Sequence, residues 1–228
     1  ATTPVLPAVT EFVQPFFFEF FGNPSSSHWA GREVRGYFDK AREHVAKMLQ
    51  AKPGEIVFTG CGSESDNHAI KGVVFSRRQK GNHIITTTTE HPAVLNTCRY
   101  LETLGYEVTY LPVDQDGQIE PDDIRKAIRP NTTLISIMYA NNETGNVLPL
   151  REIGIIAREH DIVFHSDMVQ AMGKIDIDVQ ALNVDVASFA GHKVYAPKGI
   201  GVVYIREGLE IESLLDGGRQ EGGRRAGA

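Results

Sequence analysis

The sequence predicts an α/β fold: a mostly parallel sheet sandwiched by helices. Three observations carry this expectation. Strand-like and helix-like segments alternate almost throughout, the strand-like segments are short apolar runs, and the chemically versatile polar residues cluster where those runs end. No internal repeat or low-complexity tract interrupts the 228 residues, enough chain to bury a substantial core.

Each element has its own signal. Asn23, Pro24, Ser25, Ser26 and Ser27 form a turn and capping cluster. They lead into a helix with Val34, Phe38, Ala41, Val45, Met48 and Leu49 at three- and four-residue spacing. A short strand at 55–58 precedes a helix over 63–79. A strand at 83–87 precedes a helix that opens at Pro92 and contains Val94, Leu95, Tyr100 and Leu101. Strand 107–111, helix 121–128, strand 132–138 and helix 150–159 continue the series. A strand through Ile162, Val163 and Phe164 ends at Asp167, and strands at 184–189 and 201–205 close it.

Composition narrows the classes of function. The net charge is −6 and basic residues form no long run, so no nucleic-acid footprint is expected. Cys61 and Cys98 are far apart and form no CxxC pair, which fits a reducing cytoplasm better than a disulfide framework. The opening residues have neither a basic start nor an apolar core, so no signal peptide is expected. The most apolar segment, Phe12 to Phe21, is interrupted by Gln14, Pro15 and Glu19 and is too short to span a bilayer. Its aromatic density instead suggests a helix buried against another domain or subunit.

In such a fold, ligands bind outside the carboxyl ends of the strands. There the chain places Gly60-Cys61-Gly62-Ser63-Glu64, Glu90-His91-Pro92, Asn141-Asn142-Glu143, Asp167 and Gly191-His192-Lys193. One shared pocket is expected. An acid and a lysine, each just past a strand end, are what a pyridoxal 5'-phosphate enzyme requires: Asp167 to keep the pyridine nitrogen protonated and Lys193 to form a Schiff base. Each residue also has an ordinary alternative. Ser63, with Gly62 before it, is either a phosphate site at a helix start or a simple N-cap. Asp167 is either the pyridinium partner or a helix cap, and Lys193 either the inward amine or a surface lysine. Gln170 offers an amide to a ring hydroxyl. His91 either stacks on a ring or is a hydrogen-bonded histidine, and Asn142 either meets the ring oxygen or closes a loop. Lys174 reads as solvated. His160 and His165 lack metal-ligand spacing, and no metal is expected. Neither a P-loop nor a GxSxG elbow is present.

The strings FTGCGSESDNHAIKG, EHPAVL, ANNETG, HSDMVQAMGK and SFAGHKVYAPKG stand in the order and approximate spacing of one family. The chain resembles the NifS-like cysteine desulfurases of the class-V aminotransferase group, from Ala1-Thr2-Thr3-Pro4 and Gly22-Asn23-Pro24-Ser25-Ser26 to Arg224-Arg225-Ala226-Gly227. The resemblance implies the fold type I large domain over 21–228. Residues 1–20 would pack with a small C-terminal domain missing from this chain, or with a partner subunit in a homodimer. It implies that Lys193 carries the cofactor and His91 stacks on it. Asp167 would pair with the ring nitrogen, Asn142 and Gln170 would address the ring hydroxyl, and Ser63 and His192 would bind phosphate. The implied reaction converts L-cysteine to L-alanine and passes sulfur to an enzyme cysteine as a persulfide. The sulfur then goes to an acceptor or scaffold protein for iron–sulfur clusters or thio-cofactors. A selenocysteine lyase, a true aminotransferase and a non-catalytic cofactor-binding fragment are the alternatives. Outside the family, a doubly wound nucleotide-binding module is another.

Some positions depart from the family pattern. Ala190 replaces a common serine, Ser63 a threonine, Gly222 an arginine and Ala228 a threonine that reaches the partner's phosphate. Neither Cys61 nor Cys98 matches the family's nucleophilic cysteine. That residue, and an arginine for the substrate carboxylate, are expected beyond residue 228.

Overall fold

A computed structural model describes residues 2–227, so Ala1 and the departure at Ala228 lie outside the described residues. Seven strands form one sheet: β1 (Ile56–Thr59), β2 (His83–Thr87), β3 (Glu107–Leu111), β4 (Thr132–Ser136), β5 (Val163–Asp167), β6 (Val186–Ala190) and β7 (Gly201–Ile205). Their order is β1-β7-β6-β5-β4-β2-β3. From β6 through β3 all pairs are parallel, as expected for strands separated by helices. Only β7 is reversed, running antiparallel to both β1 and β6. Between β6 and β7 there is a single 3₁₀ turn, Gly191–Lys193, rather than a crossover helix, so the chain turns back on itself. Because β1 is antiparallel to β7, it runs with the parallel set, and the ends of β1, β2, β4, β5 and β6 open onto one edge.

Helices cover both faces. On one face α3 (Gly62–Ser76) and α4 (Pro92–Thr103) bury Ile70, Val73, Val94 and Leu101 against Ile84, Leu134, Val163, Val186 and Val203. On the other, α5 (Pro121–Ala127) and α6 (Leu150–Glu159) pack with α2 (Trp29–Met48) against Ile85, Ile135, Phe164, Ala187 and Tyr204. The one-residue offset between the two sets is the period-two alternation of strands buried on both sides.

Two local expectations differ from the fold. Helix α2 begins at an N-cap of His28 without a side-chain cap, because Asn23 bonds its own turn through Ser25 N–H at 2.8 Å. Ala41 and Met48 on its apolar stripe are exposed. Nor is the aromatic segment one helix: α1 (Pro7–Val13) passes into a 3₁₀ turn over Gln14–Phe17, where Pro15 supplies no N–H to continue the α-helix. Phe16 and Phe20 pack on Tyr37 at 5.1 and 5.3 Å, while Phe17 and Phe18 remain 72% and 76% exposed. Among the described residues no helix is long and apolar enough to cross a membrane.

Candidate active site

A cavity of about 250 Å³ opens at the shared strand edge. Gly62, Ser63, His91, Asn142, Asp167, Gln170, His192 and Lys193 all line it, with Cys61, Asp66, Met138, Ala140, Val169 and Ala190.

Asp167 ends β5, beside Ser188 of β6, and is buried. Its Oδ1 accepts from Val169 N–H at 2.9 Å, which orients the carboxyl. Burial raises its pKa, while neighbouring His91 and Lys193 pull it down. Gln170 is turned by Lys174, whose Nζ donates to Gln170 Oε1 and to its backbone carbonyl, both at 3.1 Å. The other half of the amide, Nε2, is buried without a hydrogen-bond partner. A polar donor is therefore held ready at the cavity wall. Lys174 is exposed, as its loop position suggested, yet it sets this amide.

Helix α3 begins at the opposite wall. Cys61 is its N-cap, with Sγ accepting from Glu64 N–H at 3.4 Å. Gly62 and Ser63 occupy the first turn, where backbone N–H groups have no helical acceptor. A Cβ on Gly62 would lie 3.1 Å from Ala190 Cβ and 3.2 Å from Val169 Cγ2, so glycine lets the helix start sit close against β6. Lys193 is half-buried in the 3₁₀ turn after β6. The N-terminal segment straps that turn. Thr3 N–H and hydroxyl donate to His192 C=O at 2.8 and 3.0 Å, and Thr3 Oγ1 accepts from Tyr195 N–H at 2.7 Å. Burial and the charges of Lys193 and Lys198 lower the His192 pKa.

His91 precedes α4 as its N-cap, Nδ1 accepting from Ala93 N–H at 3.1 Å. The neutral ring then carries its proton on Nε2. This bears on one further observation: Asp66, His91 and Asp167 offer ligand atoms all within 4.8 Å of one another, a spacing suited to a cation. A protonated Nε2 has no lone pair for a metal, so the trio is better described as a polar pocket floor. Asn142 is exposed at the rim of a loop that Asn141 holds, its Oδ1 accepting from Glu143 and Thr144 N–H at 2.8 and 3.0 Å.

Asp66 was not among the residues expected at the site, and Glu90 stood in a strand-end cluster without a role; both are buried. One signal was available for Asp66. It shares the α3 face of Gly62, Ala69, Ile70 and Val73 by three- and four-residue spacing, and a carboxyl on an apolar stripe is unusual.

The model of the family described as aminotransferase class-V matches residues 1–221. The chain belongs to the class-V aminotransferase family. Within it, the chain is 53% identical over 227 residues to a protein named cysteine desulfurase IscS from Dictyoglomus turgidum, covering 100% of this chain and 58% of that one. A relative of the same name from Methanosarcina thermophila is also 53% identical, with 56% of its length covered. Among solved structures, SspA in complex with cysteine superposes with a TM-score of 0.97 at 47% identity, over 99% of this chain and 66% of that one. A NifS-like protein gives 0.96 at 42% identity, over 99% and 62%. The chain thus spans a little over half the length of the curated relatives it matches. The sheet and its helices are those of the fold type I enzymes, and the family's cofactor is pyridoxal 5'-phosphate.

Proposed function

We propose that this chain is the cofactor-binding large domain of a cysteine desulfurase, which releases L-alanine from L-cysteine and retains the sulfur. The observation that carries the reading is the convergence of Asp167, Lys193, Gln170 and the α3 start on one cavity. Its donor set fits pyridoxal 5'-phosphate. There is an anion for the ring nitrogen, a half-buried primary amine for the aldehyde, an unpartnered amide donor for the ring oxygen, and free helix N–H groups for the phosphate. When bound, the cofactor supplies an electron sink conjugated to the amino acid's Cα.

The protein supplies the rest. Asp167, aimed by Val169 N–H, holds a proton on the ring nitrogen. Gln170 Nε2 and Asn142 would orient the ring oxygen, and His91 would supply a flat face for the ring. Gly62, Ser63 and His192 hold the phosphate, with Ala190 contributing no hydroxyl. Lys193 Nζ would anchor the cofactor and, once free, would move protons at the substrate Cα.

Cys98 is unsuited to receive sulfur: it is fully buried, and burial pushes its thiol pKa up to about 12. Cys61 is exposed and lines the cavity, but it caps α3, with Sγ accepting from Glu64 N–H at 3.4 Å; from the family resemblance we assign the sulfur-accepting thiol to the portion of the relatives that this span does not cover. The persulfide would pass to an acceptor or scaffold protein for iron–sulfur or thio-cofactor assembly. Exposed Phe12, Phe17 and Phe18 support packing of residues 1–20 against that remaining portion or a partner subunit of a homodimer.

The test is to mix the protein with pyridoxal 5'-phosphate and L-cysteine, then measure alanine, sulfide and the visible band of the lysine-bound cofactor. The band should form and should vanish in Lys193→Ala. A borohydride-reducible adduct surviving at the same site in that variant would overturn the assignment.

A further inference from the structure

The most deeply buried acid of the cavity has no part in holding the cofactor. Asp66 lies in the second turn of α3, is 1% exposed and lines the cavity. Its Oδ1 has no hydrogen-bond partner, and the residue offers a carboxylate oxygen within 4.8 Å of ligand atoms of both Asp167 and His91. His165 Nε2 approaches it at 3.8 Å but supplies no counter-charge. That ring is held by Ser136 Oγ at 2.8 Å and Ser188 Oγ at 2.9 Å, and burial pushes its pKa down to about 3, so it stays neutral. Two carboxyls buried this close do not both ionise readily.

We infer that Asp66 is a positioning residue: it keeps the proton of a coupled carboxyl pair and so leaves Asp167 as the anion facing the ring nitrogen, an inference that rests on the cofactor reading above. The surroundings are asymmetric in the required sense. Val169 N–H, His91 and Lys193 favour charge on Asp167. Against charge on Asp66 stand burial, Asp167, Glu90 and Cys61, with the Ser188 hydroxyl opposing them. The groups facing it are Asp167 and His165 from β5, Ser188 from β6, Glu90 and His91 from the start of α4, Cys61 from the loop before α3, and Lys193 from the turn after β6. Glu90 is also a neutral acid at neutral pH, its pKa pushed up to about 8. The floor then holds one anion and two protonated carboxyls. When Asp66 ionises as pH rises, its charge would favour the protonated form of the lysine-bound chromophore. The two titrations therefore become coupled.

Two readouts test this. In the holoprotein, the visible band is followed against pH. Wild type should titrate over a wider range than one proton allows, and Asp66→Asn should give a one-proton curve with a midpoint about one unit lower. Cofactor affinity at neutral pH should stay within about threefold, because a neutral amide replaces a neutral acid. A one-proton curve in wild type, an unaltered curve in Asp66→Asn, or a tenfold or greater loss of neutral-pH affinity would each overturn the assignment. The second readout needs no cofactor. The infrared C=O band of buried protonated carboxyls in the apoprotein should lose a component in Asp66→Asn, and an unchanged band would refute the protonated state. If wild type forms no visible band with pyridoxal 5'-phosphate while the infrared component is lost as expected, the cofactor reading fails and the carboxyl pair stands.

Discussion

Gln170 meets the cavity with its nitrogen because Lys174, facing solvent, occupies its oxygen. Truncating the lysine frees the amide to rotate. One hydrogen bond is worth about 1 kcal/mol, so Lys174→Ala should weaken pyridoxal 5'-phosphate binding about fivefold, and Gln170→Ala at least as much. Fluorescence titration of the apoprotein would check this, and wild-type affinity in both variants would exclude a role for the amide. Asp167→Asn removes the anion and should cost about 1.5–3 kcal/mol, roughly ten- to hundredfold in affinity. The sign of the pH effect follows from its raised pKa. Asp167 binds the ring as an anion and protonates as pH falls, so wild-type affinity should drop on acidification while Asp167→Asn stays flat. At this scale the strand-end residues were legible, because a polar side chain ending an apolar run stands out. Asp66 showed only as a carboxyl on an apolar helix stripe, because its meaning comes from Asp167, a residue at the end of a distant strand.

Helix α3 keeps its place through close backbone contacts and through the C-terminal segment. A Cβ at Gly201 would fall 2.7 Å from the backbone C and O of Cys61 and 2.6 Å from Thr59 Oγ1. Gly201→Ala should therefore push the β1–α3 loop away from β7 and lower both the thermal midpoint and cofactor affinity. Glu221 ties its segment to the sheet, accepting from Arg42 at 2.7 and 2.9 Å and from Phe58 N–H at 2.8 Å. Its side chain is largely buried, as is that of Arg42. Glu221→Ala strands a buried guanidinium and an N–H, an expected loss of about 3 kcal/mol in denaturant unfolding. Glu221→Gln should lose less. Element identities were legible from periodicity, and strands 83–87, 107–111 and 201–205 match the fold residue for residue. The direction of β7 was not, since a short apolar run carries no mark of its orientation.

Across the whole molecule, buried titratable groups shape stability against pH. Burial holds His68 and His83 near about 4 and His165 near about 3, against an ordinary 6.5. The unfolded chain takes up their protons first, so their contribution is lost as pH falls from about 6.5 towards 4. Glu90 and Asp66 act oppositely. The fold keeps protons that the unfolded chain releases, so stability falls as pH rises, for Glu90 from about 4.5 towards 8. Between about 4.5 and 6.5 four lowered histidines, His192 included, stand against three raised acids, Asp167 included, and above 6.5 only the acids remain. The apoprotein's thermal midpoint should therefore peak near pH 6.5, as followed by circular dichroism, and Glu90→Gln should flatten the alkaline side. A midpoint rising steadily through pH 8 would contradict this balance.

By itself the sequence determined the layered α/β architecture, the strand edge where ligands bind, the candidate residues on that edge and the family to which they belong. These are legible because periodicity, strand ends and ordered motifs are local properties of the chain. Only the tertiary structure decided that β7 runs backwards, that Thr3 straps the Lys193 turn, that Lys174 sets the Gln170 amide, and that Asp66 sits against Asp167. Apart from the four-residue step between Gln170 and Lys174, each depends on the register and burial of segments far apart in sequence, where the energy of a side chain is set by neighbours that its own segment does not encode.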